Sequence, residues 1–527
     1  MSTNGGDSVF PKPQPAQSGI KTVLQYTGIP PSWLDKRPKV PSRNWLIFLS
    51  VTSAITGYYL YDRKQCKTIR QEYVDKVQHL SKVPLHSMAL PRKVTVYGCK
   101  WPADEDYDRS LKYFRKYVKP ILNAAAIDHV MINGRRHGDL ADRIANDIKK
   151  LRRIQAGIDP PPPNPMNLTT STQEAKRQRE LEGGIIIVGR PAFKEFMTGL
   201  KRGWTEGLEI VDKEEQLAQT LENDGQFDEP DSHPASDLDY SDDEPIPTQS
   251  KLAPSKPFSP FSPPLLRQKS SMPSPSSSGG TDSIPPSLNA PPSIIPPQPP
   301  VLLVSFLDYI GLTYIPHMIY DFFNERHKVR AGAEDAYRII VGQTRPMTGR
   351  ASELLAAHSD DDASGVEPIP ADGCQSNTSI APTDLDFNKD VESYYKKSYV
   401  TSFLTDIGKA RENYYSELTK KLETARALAR GTREPTKEEQ NYPPPTEVEL
   451  RAERMKKELR WRSEEKGWEI IRPKAATAWD PRFEGVLGVF AQPSLEREAQ
   501  FQAEAQAIWE REKEKEKRRE QEDSNHE

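Results

Sequence analysis

This chain reads as an α/β protein with a single N-terminal transmembrane helix, a long disordered insertion and a helical, charged C-terminal region. One uncharged apolar stretch, 44–61, has no counterpart elsewhere, and strand-like and helix-like patterns alternate from Lys93 to Leu200. Proline sets the rest: 48 prolines in 527 residues, with only 35% hydrophobic residues, require long stretches that bury no core. A single compact globule is excluded. Lys and Arg number 73 against 76 Asp and Glu, so no global field favours nucleic acid. Cys66, Cys99 and Cys374 are too far apart in sequence for a CxxC-type zinc or redox site or a disulfide-stapled fold, and they do not define a compartment or their own redox state.

The N-terminal tail, 1–43, has six Lys or Arg against two Asp, and no Arg before Arg37, unlike an Arg-rich cleavable presequence. The apolar stretch NWLIFLSVTSAITGYYLY, 44–61, would cover about 27 Å, the low end for a bilayer core. Trp45 stands at one edge and Tyr58, Tyr59 and Tyr61 at the other, as interfacial anchors would. It begins too far into the chain, and lacks a small-x-small exit, to be a cleaved signal peptide. Ser50, Ser53, Ala54 and Gly57 form a small-residue stripe, the expected transmembrane contact for a partner helix. Basic residues on both flanks nearly balance, which gives the short tail only a slight bias to the inner side.

A connecting helix fills 62–92. The first part of the α/β domain, 93–220, opens with KVTVY (Lys93–Tyr97), a β-branched strand. Helices follow at 107–126 and 140–151, where apolar residues recur at three- and four-residue spacing, with a strand at 128–132 between them. GIIIV (184–188) is a fully apolar strand and Phe193–Leu200 a third helix. From Glu222 to Glu244 there are ten acidic residues and no Lys or Arg, and 230–300 contains 19 prolines, so 221–300 reads as a disordered linker. The domain should resume over 301–345, where VLLVSF, Tyr320–Phe323 and Tyr337–Val341 suggest strands and a helix. A second polar linker fills 346–386, and 387–527 is a charged helical region whose first long helix stops near Gly431.

From Lys93 to Leu200 the element order resembles the nucleotide-binding domain of diacylglycerol and related lipid kinases, whose strands run into NPxSG, GHA-type and GGDGT elements. The resemblance implies a shared scaffold without its chemistry. Gly98 is followed by Trp101 and Pro102 where a phosphate loop is needed; His137-Gly138-Asp139-Leu140-Ala141 is similar to the second element; and Arg190-Pro191-Ala192-Phe193 stands where GDGT should be. No catalytic residue, cofactor-binding residue or metal ligand is expected. His137 has no second histidine at helical spacing and reads as a helix-start residue; Lys149, Lys150, Arg152 and Arg153 are either a lipid-facing patch or a solvated helix face.

Longer stretches resemble the large single-span subunit of the mitochondrial carrier translocase, the Tim fifty-four family of fungi. They are IPPSWLDKRPKVPSRNWLIFLSVTSAITGYYLYDRKQCK from Ile29, IPHMIYDFFNERHKVR from Ile315, TARALARGTREPTKEE from Thr424, and YPPPTEVELRAERMKKELRWR from Tyr442 followed by GWEIIRP. The resemblance implies an inner-membrane protein with its N-terminus in the matrix and its bulk in the intermembrane space. It also implies a non-enzymatic scaffold for insertion of multi-pass carriers, without cofactor. Implied partners are the channel-forming and other translocase subunits, the small intermembrane-space chaperones, membrane lipid and, indirectly, carrier substrates, but no nucleic acid. Two other readings stay open: a membrane-anchored lipid kinase, and an unrelated tether or adaptor using the PxxP-rich insertion.

Overall fold

The computed structural model describes residues 42–84, 91–160, 173–209, 212–228, 285–349 and 383–526. Most of the N-terminal tail and the middle of both expected linkers, 229–284 and 350–382, lie outside the described residues, as does Cys374. The chain divides into two compact units, Met1–Cys66 and Lys67–Glu527.

Helix α1 (Arg43–Val77) is 35 residues long, and the expected transmembrane segment 44–61 is only its first part. That expectation is corrected: no helix among the described residues is long and apolar enough to cross a membrane. The stretch is uncharged, but Ser50, Thr52, Ser53, Thr56 and Gly57, with three tyrosines, dilute its aliphatic residues, and the helix then runs on through Asp62, Arg63 and Lys64. Ser50 and Thr52 turn their hydroxyls back onto the helix, donating to the Ile47 carbonyl at 2.8 Å and the Phe48 carbonyl at 2.9 Å.

In the second unit β1 (Lys93–Cys99) leads to α2 (Arg109–Tyr113), which continues through a π-turn at Phe114–Val118 into α3 (Lys119–Ala124). Then come β2 (Asp128–Gly134), α4 (Asp139–Gln155), α5 (Gln173–Gly183), β3 (Ile185–Val188), α6 (Arg190–Thr205) and α7 (Lys213–Glu222). After the undescribed stretch, β4 (Val301–Val304), α8 (Ile315–Phe323), α9 (Glu325–Val341) and β5 (Thr344–Pro346) follow. The C-terminal part supplies α10 (Lys397–Ala429), α11 (Glu447–Ile471), β6 (Gly488–Phe490) and α12 (Leu495–His526). Residues 285–300, the end of the stretch read as linker, are described and lead into β4 with Ile295 buried.

The six strands lie in the order β2-β1-β3-β4-β6-β5. β1 pairs parallel with β2 (Val96 opposite Met131) and with β3 (Val96 opposite Ile186), and β4 is parallel to β3 and β6. β5 runs antiparallel to β6, with Arg345 opposite Val489. The α/β expectation is therefore also corrected: the protein is mostly helical with a mixed sheet, not a lipid-kinase-like α/β domain with an appended helical tail. The physical reason is that β6 arrives from residue 488 to complete the sheet, while helices of 35, 33, 25 and 32 residues dominate the chain. The apolar runs Tyr320–Phe323 and Tyr337–Val341 belong to helices, α8 and α9.

Strand alternation divides the core into two layers. Val94, Val96, Ile186, Val188, Leu302 and Val304 face Phe114, Ile121, Leu122 and the Ala333–Ile340 side of α9. Ile187 and Val301 face the other way, onto Leu140, Ile144 and Ile148 of α4 and Phe193, Phe196 and Leu200 of α6. Each such side chain stabilises the fold by about 1.5–3 kcal/mol. A third cluster joins α10 to α11 through Leu418, Leu422, Leu450 and Trp461. α11 starts at a reciprocal cap, in which Glu449 N donates to Thr446 Oγ1 and Thr446 N donates to the Glu449 carboxylate at 2.9 Å.

Candidate functional site

Parallel sheets bind ligands beyond the carboxyl ends of their strands, where the strand order reverses. Here that place lies past the ends of β1 and β3, since the order runs β2-β1-β3. The three loops compared above with phosphate-binding elements open towards it, and each is filled by the chain's own side chains.

After β1, Trp101 is only 2% exposed and meets Phe306 and Tyr395 edge-on, with ring centroids 5.5 and 5.1 Å away. After β2, the amides of Gly138 and Leu140 at the start of α4 donate to the Glu195 carboxylate at 2.9 and 3.0 Å. A helix N-terminus favours an acceptor group, and Glu195, fully buried on α6, places the chain's own carboxyl there. Burial pushes the Glu195 carboxyl up to about 8, against the backbone donors Gly138, Leu140 and Ala141, which favour the anion. His137 is buried among Tyr399, Phe403 and Trp468, and its Nε2 lies 3.1 Å from the Tyr399 hydroxyl. Burial, helped by Lys100, holds His137 down to about 4, so it is neutral at physiological pH.

After β3, Arg190 and Lys194 in the first turns of α6 converge on Glu392, at 2.9 and 2.6 Å. The Arg190 guanidinium also donates to the Leu385 and Phe387 carbonyls, Lys194 donates to the Arg472 carbonyl, and Lys474 N donates to the second Glu392 oxygen at 2.9 Å. Burial alone would push the Glu392 carboxyl up; hydrogen bonds from Lys194, Lys474 N and Arg190 more than offset it and hold it below the usual glutamate value. Glu392 thus takes the place an external anion would need. The arrangement binds the segments around Leu385–Tyr395 and Arg472–Lys474 to the sheet.

A cavity of about 940 Å³ lies beside this plug, lined by Arg190, Lys201, Lys389, Lys474 and Trp479 among others, and Gly349 and Thr383 at its rim flank the undescribed residues 350–382. Among the described residues no cluster of His, Cys, Asp and Glu could hold a metal. Burial pushes the Cys99 thiol well above its ordinary value, so it is not a poised nucleophile. Ser50, Ser53, Ala54 and Gly57 are all exposed on α1, and a methyl group added at Gly57 would touch nothing within 4 Å. Sequence reasoning missed Glu195, Glu392, Lys194 and Tyr395. Glu392 lies 202 residues from Arg190, and no local pattern announces the pairing.

A family profile described as "Inner membrane protein import complex subunit Tim54" matches residues 21–464. The chain is 36% identical over 488 residues, 92% of its length and 96% of the relative's, to "Mitochondrial import inner membrane translocase subunit TIM54" of Cryptococcus neoformans. Proteins of the same name in Candida albicans and Aspergillus oryzae are 30% and 39% identical over 241 and 181 residues, covering 39% and 33% of this chain and 58% and 40% of theirs. Matched over most of its length by both profile and relative, the chain belongs to the Tim54 family of inner membrane protein import complex subunits.

Proposed function

We propose that this protein is a non-catalytic scaffold subunit of a mitochondrial inner-membrane import complex of the carrier-translocase type, supporting insertion of multi-pass membrane proteins. One observation carries the non-catalytic part: the strand-end crevice where a nucleotide or substrate would bind is filled by Trp101, Tyr395 and the Arg190–Glu392–Lys194 cluster. Family membership supports the rest. In this reading residues 67–527 face the intermembrane space and meet the channel-forming subunit and the small chaperones. The exposed face of Ser50, Ser53, Ala54 and Gly57 meets a helix of a partner subunit, and Ala54→Leu with Gly57→Leu loosens the complex without disturbing the chain's own packing, since Gly57 borders open space.

The decisive experiment removes the protein from mitochondria. Native complex size and carrier insertion should fall while presequence-bearing matrix proteins continue to be imported. Unchanged carrier insertion with impaired matrix import would refute the proposal.

A further inference from the structure

We propose that the outer edge of β2 takes an extended acidic segment of a partner protein as an added strand of the sheet. β2 stands first in the strand order, so one of its sides meets β1 and the other meets no strand among the described residues. Two bonds fix which way its backbone groups point. Asp128 N donates to the Arg92 carbonyl just before β1, and Thr95 N of β1 turns away from β2 to the Gly184 carbonyl. Alternate residues of a strand aim their amide and carbonyl to opposite sides, so Asp128, Val130 and Ile132 serve the β1 ladder, and His129, Met131 and Asn133 aim three N–H and three C=O groups outward. Among the described residues none of these six groups has a partner. Val130 and Met131, on opposite faces, are 39% and 37% exposed, whereas Val94 and Val96 of β1 are fully buried. Sheets blunt their edges with short strands, prolines and charges, as β5 does with three residues that include Arg345 and Pro346. β2 has seven residues and neither Pro nor Lys, which leaves a template for another strand.

Charge selects the occupant. Arg135 and Arg136 follow β2 directly and are exposed. Lys119 at the start of α3 joins burial in opposing protonation of His129, and Arg143, exposed on α4, acts on Tyr97, which lies opposite Ile132. None of these four cations has a carboxylate partner among the described residues, and Arg135 rests over the Tyr107 ring, 5.9 Å away. The acids beside them are Asp128 and Asp139, the second already accepting from Arg135 N at 3.1 Å; Asp147 and Lys150 farther along α4 pair with each other. Four cations against two acids favour a strand carrying Asp or Glu, and they oppose a second copy of β2, which would bring the same cations together. The backbone ladder supplies affinity, and charge supplies the choice of partner. The inference stands apart from the scaffold reading, since the edge takes such a strand whichever import complex the chain serves.

The test titrates the full chain into a fluorescein-labelled nonapeptide of alternating Asp and Val, read by anisotropy, beside a nonapeptide of alternating Lys and Val. The acidic peptide should bind, slow hydrogen exchange within 128–134, and exceed the basic peptide about tenfold in affinity. Met131→Pro removes the central outward donor and leaves the β1 ladder whole, so it should weaken binding about threefold to tenfold without moving the thermal transition. Arg135→Gln with Arg136→Gln should weaken it about threefold and reduce its salt dependence, and this variant carries the test if Met131→Pro unfolds the chain. No binding of the acidic peptide, equal binding of both peptides, or binding that ignores both variants would overturn the proposal. So would a concentration-dependent dimer that Met131→Pro dissolves, because the edge would then belong to a second copy.

Discussion

Glu392→Gln tests whether the plug beyond β3 holds the second unit together. The glutamate side chain is 7% exposed, Arg190 3% and Lys194 1%. Glutamine preserves shape and one acceptor oxygen but removes the charge that pairs with both buried cations, and its amide would face the Lys474 donor. Breaking a buried pair by removing one partner costs about 3–5 kcal/mol. At about 2 °C or less per kcal/mol for a cooperative unit as large as Lys67–Glu527, the melting temperature should fall by up to about 10 °C. Near-ultraviolet circular dichroism of the full chain reads this transition. Adding Lys194→Met should recover part of the loss, because one of the stranded cations is gone. A single variant within about 0.5 kcal/mol of wild type, or a double variant no better than the single, would refute the argument. Since the folded value of Glu392 lies below that of an ordinary glutamate, its contribution is complete above about pH 4.3 and is lost as pH falls through the lower folded value.

Three further outcomes follow from the same geometry. His137, held down to about 4, refuses a proton that the unfolded chain accepts near 6.5, so stability should be full above about pH 6.5 and fall at up to about 1.4 kcal/mol per pH unit towards pH 4. Urea unfolding at pH 7 and pH 5 should show His137→Gln losing less than wild type; equal losses would mean that His137 is not buried neutral. At Gly467, where α11 crosses the start of α4, a Cβ would lie 1.9 Å from the His137 carbonyl oxygen, so Gly467→Ala should cost about 1–3 kcal/mol in urea unfolding, whereas Gly408→Ala on α10, with open space around it, should stabilise slightly. Calorimetry of the full chain with magnesium and ATP should detect no binding tighter than about 1 mM, roughly 4 kcal/mol, because Glu195 and Glu392 already occupy the anion positions.

Local elements were legible because they rest on short-range pattern. The β-branched run at Lys93, the apolar Ile185–Val188 and the four-residue spacing of Leu140, Ile144 and Ile148 each mark an element that the chain forms there. The loss of phosphate-loop chemistry at Trp101 and Arg190 was legible too, since a missing glycine or acid is a property of residues. Sequence alone therefore determined where most strands and helices lie and which chemistry the loops lack. Only tertiary structure decided how they assemble. The mixed sheet depends on three-residue strands at Thr344 and Gly488, too short to carry a period, and their antiparallel pairing joins segments over 140 residues apart. The plug depends on Glu392 meeting Arg190 across 202 residues. In the stretch 44–61 absence of charge is not apolarity, since its hydroxyls and tyrosines leave it short of what a membrane core requires. Pattern encodes what neighbours along the chain do together, whereas burial of a charge or closure of a sheet is set by residues that meet only once the chain has folded.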